Sequence, residues 1–115
     1  MSIAAQKRSV SRKHDWVDER SRALHIIIAQ KIRQEPTLLE MARFNLDRWE
    51  KGSSGEVKPI FAEWRAMIRD WSLQRLLDFL GEKSARANQM RQSSPFTGIL
   101  TAAERNQVFA EYESL

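Results

Sequence analysis

Cysteine is absent from this chain of 115 residues, which removes disulfides, thiolate metal sites and cysteine nucleophiles together. The absence fits a reducing compartment, and a cytoplasmic protein is the expectation. No apolar run approaches the roughly 20 residues that a membrane-spanning helix needs. The N-terminus carries no apolar core of the secretory type. Glycine and proline are scarce, with four and three copies, and they stand between segments rather than within them. Imidazole is scarcer still: His14 and His25 are the two histidines. No glycine-rich phosphate loop and no Gly-x-Ser-x-Gly occurs. Zinc chemistry wants three or four convergent ligands, and the carboxylates here are scattered beside arginines on polar helix faces. The sequence therefore offers no catalytic residue, no metal ligand set and no cofactor motif.

Charge is unevenly spread. Lys7, Arg8, Arg12 and Lys13 fall before the first acid, Asp15, and the rest of the chain balances fifteen bases against fifteen acids. The high isoelectric point thus belongs to the N-terminal segment. We read residues 1–17 as a basic, flexible tail and residues 18–115 as one helical domain, a length suited to a single core. Such a tail can contact phosphates, grip an acidic protein or stay solvated. Trp16 stands between tail and domain, either clasped onto the domain or anchored into a partner.

The body reads as five to six short helices, an all-α bundle. Asp18 to about Gln34 places Leu24, Ile27, Ile28 and Ile32 on one face. Pro36 ends that helix and suits the first turn of the next, with Leu39, Ala42, Leu46 and Trp49 inward. Gly52-Ser-Ser-Gly55 is a short linker. Pro59 opens a third helix with Ile60, Trp64, Met67 and Trp71 on its stripe. Ser72 caps a fourth, Leu73 to Leu80, which Gly81 ends. A fifth runs from Ser84 to about Gln92. Thr101-Ala-Ala-Glu104 is a capping box that opens a sixth, with Val108, Phe109 and Tyr112 inward. Trp49, Trp64 and Trp71 are expected to pack together, and His25 is expected to be a partly buried structural histidine.

Two binding readings follow from the residues. Leu73–Gln92 has the outline of a helix-turn-helix, whose second helix carries Arg86, Asn88, Gln89 and Arg91 for base edges and phosphates. Nucleic-acid contact would then fall to Lys7, Arg8, Arg12, Lys13, Asn88 and Gln89. The alternative is a protein-binding module using Arg86, Arg91, Phe96 and Trp16, because interfaces favour arginine and aromatic anchors. A third possibility is a structural subunit of a larger complex. Phe96, Ile99 and Leu100 either reach a partner or fold back over the core, and at least two of them are expected to fold back.

The segments Arg20-Ser-Arg-Ala-Leu-His25, Leu46-Asp-Arg-Trp49, Trp64, Ser84-Ala-Arg-Ala87 and Met90-Arg-Gln-Ser-Ser-Pro-Phe-Thr-Gly-Ile-Leu-Thr-Ala-Ala-Glu-Arg105 resemble a family of small bacterial all-helical proteins. The resemblance spans roughly Asp18 to Tyr112. Members of that family stand alone or follow a helix-turn-helix domain of the Xre type, and some lie beside a toxin-like gene. The resemblance implies an antitoxin-like role, in which the chain neutralises a toxin by direct contact. It implies no activity for any single motif residue.

Overall fold

The computed structural model describes the backbone of residues 2–52 and 58–113, and the side chains of residues 16–50 and 58–113. Six α-helices are present among them: α1 (Ser2–Gln34), α2 (Leu39–Gly52), α3 (Pro59–Asp70), α4 (Leu73–Leu80), α5 (Ala85–Arg91) and α6 (Ala102–Glu113). A 3-10 turn, Pro36–Leu38, joins α1 to α2. No strand occurs among the described residues. The all-α bundle is therefore the fold, and no helix among the described residues is long and apolar enough to cross a membrane.

Helix boundaries follow local chemistry. Pro36 enters the 3-10 turn at its first position, where its missing amide hydrogen costs nothing. Ser72 Oγ accepts from the Arg75 amide and Ser84 Oγ from the Ala87 amide, so both serines are N-caps. Thr101 and Glu104 exchange both capping-box hydrogen bonds at the start of α6. One expected boundary is corrected. Helix α1 begins at Ser2 rather than Asp18, because residues 2–17 contain neither glycine nor proline to stop it. The Ser53–Gly55 part of the expected linker lies outside the described residues.

Helix α1 is the spine, contacting α4, α5 and α6, while α2 packs on α3 and α3 on α4. The core joins Ile28 and Ile32 of α1 to Ala42 and Leu46 of α2, Trp64 and Met67 of α3, and Leu76, Leu77 and Leu80 of α4. Trp64 is fully enclosed, and its indole Nε1 donates to Met90 O at 3.1 Å. Truncating it to alanine would cost about 3–5 kcal/mol. The three tryptophans do not form the single cluster expected of them. Trp49 is half-buried against Phe61, and Trp71 half-buried against Phe79, with ring centroids 4.9 and 5.4 Å apart. Trp64 meets Phe79 and Phe96 edge-on, at 6.1 and 5.4 Å. Phe79 of α4 touches both Trp64 and Trp71, whereas Trp49 packs on Phe61 instead.

The segment 92–101 is irregular yet deeply set. Pro95, Phe96, Ile99 and Leu100 are all buried. Side chains from two neighbouring helices bind its backbone: Asn45 Nδ2 donates to Pro95 O and Thr97 O, both at 2.9 Å, and Lys31 Nζ to Ile99 O at 2.8 Å. Ile99 N returns to Phe96 O, and Gly98 takes the positive φ of 98° that this tight turn requires.

Candidate functional site

Arg91 and Phe96, expected at a partner interface, belong to the interior. Arg91 is 3% exposed and Phe96 1%. The carbonyl that ends α4 and the two that follow it in the turn take their hydrogen bonds from two arginines. Arg91 Nη1 donates to Leu80 O at 3.1 Å and Glu82 O at 2.9 Å, and Arg22 Nε to Gly81 O at 2.6 Å. The other Nη of Arg91 bonds Asn88 Oδ1. Placing guanidinium charge at a helix C-terminus also complements its dipole. Arg91 is thus a structural clamp on the α4–α5 turn, which corrects its assignment to a partner contact. Phe96 is removed from the surface for a plainer reason, since its ring fills the space between Trp64 and His25.

The helix-turn-helix outline exists as α4, the 81–84 turn and α5. Its second helix spans only seven residues. Asn88 accepts from Arg91, so of the four side chains proposed for base edges only Arg86 and Gln89 are exposed. Arg86 faces Glu63 at 3.6 Å. The side chains of Lys7, Arg8, Arg12 and Lys13 lie outside the described residues. Beside α5, a cleft of about 200 Å³ is lined by Asp18, Glu19, Arg22, Lys83 and Asn88, charges of both signs that do not converge on one ligand type.

His25 is buried, with 5% exposure. Its Nδ1 lies 2.7 Å from Ser21 O and therefore donates, which leaves Nε2 to accept from the Ser94 hydroxyl at 2.8 Å. Burial is the main cause that lowers its pKa to about 4, and the nearby Arg91 charge adds to it. A serine and a histidine in contact invite a nucleophilic reading. An imidazole held this acidic is a weak base at neutral pH, and Ser94 Oγ also accepts from the Phe96 amide. The pair fastens the 92–101 segment to α1. Among the described residues no group of three or more His, Asp or Glu is arranged to hold a metal.

Trp16 occupies a different kind of place. It is half-buried where α1 meets α6, and its Nε1 donates to Tyr112 O. One turn along α1, the Arg20 guanidinium lies 4.8 Å from the ring centroids of both Trp16 and Phe109. Val17, next to Trp16 in sequence, is 41% exposed. The result is a partly exposed arginine held by two aromatic rings. Cation–π contacts of this kind hold the arginine in place.

Helix α2 presents a surface that the sequence reading passed over. Phe44 is 60% exposed and Met41 36%. With Glu40, Asn45, Arg48, Thr97 and Gly98 they line an open groove of about 490 Å³. The signal was present in the sequence: Phe44 falls out of phase with the buried Leu39, Ala42 and Leu46 and so must point away from the core. Compared with known protein families, curated proteins and solved structures, this chain matches none of them.

Proposed function

We propose that the chain is a non-enzymatic, cytoplasmic protein-binding module, antitoxin-like in neutralising a toxin by direct contact, as its sequence resemblance implies. The observation that carries the reading is the half-exposed Trp16–Arg20–Phe109 stack. Tryptophan and arginine are the side chains that most often dominate interface energetics, and here both are already ordered. The basic residues Lys7, Arg8, Arg12 and Lys13 directly precede this cluster in sequence, which favours a partner with an acidic surface. Burial of Arg91 and Phe96 moves the proposed contact from α5 and the 92–101 segment to the α1–α6 end. Arg86 remains exposed as a peripheral charge.

The test is capture of partners by tagged chain from the native host, with and without nuclease, using wild type and a Trp16→Ala/Arg20→Ala variant. A stoichiometric protein that survives nuclease, and is lost with the variant, is the expected result. The captured protein should arrest growth when expressed alone and be relieved by the wild-type chain. Recovery of nucleic acid, with protein lost after nuclease, would replace this reading with DNA binding through Leu73–Gln92.

A further inference from the structure

The exposed face of α2 does not belong to the Trp16 surface, and its side-chain order is informative. Glu40, Phe44 and Arg48 are four residues apart, so they form one stripe along the helix. The stripe runs acid, aromatic, base, with Phe44 at its centre. All three side chains line the same groove, whose opposite wall is the Thr97–Gly98 backbone. Glu40 is 71% exposed at its side chain, held in the single chain by neighbouring Arg43. Arg48 leans toward the Phe44 ring, at 5.8 Å from its centroid.

We propose that this face is an interface between two copies of the chain, packed antiparallel along α2 about a two-fold axis at Phe44. A two-fold axis there maps position 40 of one copy opposite position 48 of the other. Glu40 then meets Arg48 of the second copy, and the same pair forms again by symmetry. A parallel arrangement would set Glu40 against Glu40 and Arg48 against Arg48, so charge selects the antiparallel pairing. Isologous interfaces require this self-complementarity of a single patch.

The groove provides for the apolar part of the contact. Phe44 of each copy enters the space between Phe44 of the other and the Thr97–Gly98 turn, with Met41 and Asn45 beneath it. The turn is rigid enough to serve as a wall, because Asn45 holds the Pro95 and Thr97 carbonyls. Gly98 keeps that wall low: a Cβ on it would lie 3.0 Å from Met41 Cε. The interface leaves the Trp16–Arg20 cluster unoccupied, so each dimer would carry two partner-binding ends.

Sedimentation equilibrium of the full chain over a concentration series tests the proposal. Wild type should approach twice the 13.4 kDa chain mass. Phe44→Asp should weaken association by roughly tenfold or more. Glu40→Arg and Arg48→Glu should each weaken it by a similar factor. Mixed together, the two single variants should associate again, because one copy then carries two arginines on the stripe and the other two glutamates. The Glu40→Arg/Arg48→Glu double variant should likewise recover self-association. All these side chains are on the surface, and unchanged helical circular dichroism would show that the fold persists. A monomeric mass for wild type at about 1 mM overturns the proposal, as does a dimer indifferent to Phe44→Asp. A wild-type monomer whose Phe44→Asp variant loses a foreign protein also overturns it, by assigning the groove to that protein.

Discussion

Acidification should loosen this domain well above the pH at which its carboxylates titrate, and His25 is the reason. The imidazole ordinarily titrates at 6.5 and here is lowered to about 4, chiefly by burial. The folded chain therefore resists a proton that the unfolded chain accepts readily. Its neutral form contributes stability in full above pH 6.5, and that contribution is lost as pH falls toward 4. The whole displacement is worth about 3 kcal/mol, of which about 2 kcal/mol is gone by pH 5. Geometry supplies the same direction: a protonated Nε2 cannot accept from the Ser94 hydroxyl, and the added charge would sit beside buried Arg91. Urea unfolding followed by circular dichroism at pH 7.5, 6, 5 and 4.5 would measure the loss. Glu104, lowered to about 2 chiefly by its hydrogen bond from Lys31, begins to matter only below its ordinary 4.5, so the loss between pH 6.5 and 5 belongs to His25. A His25→Gln variant should be less stable at pH 7.5 and nearly flat between pH 6.5 and 5. Equal slopes for variant and wild type would refute the assignment, as would a wild-type curve with no slope in that window.

Other expectations concern single contacts. Replacing Arg91 with methionine should cost about 2–4 kcal/mol in urea unfolding, because the Leu80 and Glu82 carbonyls lose their donors. Gly98→Ala should cost about 1–2 kcal/mol, combining a positive φ with a Cβ 3.0 Å from Met41 Cε, and a neutral result would contradict the turn geometry. Ser84→Ala should remove about 1 kcal/mol by uncapping α5, measurable as a lower unfolding midpoint.

Much of the bundle was legible because its signals are local. Ser72 as a cap, Gly81 after α4, and the Thr101–Glu104 box act within four residues of themselves, and each stands where the chain pattern puts it. The stripe Leu39, Ala42, Leu46 likewise needs only helical periodicity. Arg91 was misplaced because its burial depends on orphan carbonyls of another helix, a requirement that no spacing in its own segment records. Phe96 presented a similar difficulty, since only the cavity between Trp64 and His25 determines that an aromatic in a polar loop turns inward. The Trp16–Arg20–Phe109 stack joins α1 to α6 across nearly the whole chain, so no local pattern announces it. Phe44 is the opposite case, visible in the sequence as a phase mismatch with Leu39, Ala42 and Leu46.

The irregular segment after α5 also bears on when the domain can come together during synthesis. Its ties run to residues made long before it: Ser94 to His25 across 69 positions, Ile99 to Lys31 across 68, Pro95 to Asn45 across 50. A nascent chain that has emerged only through α4 has a hole where Phe96 belongs, and His25 Nε2, Lys31 Nζ and Asn45 Nδ2 lack the partners they bind in the folded chain. Local helices can form on the ribosome, whereas the closed core must wait for residues 94–100. In that interval Trp64 and its neighbours remain open to chaperones or proteases. Degradation of the newborn chain should therefore respond sharply to translation speed downstream of α4.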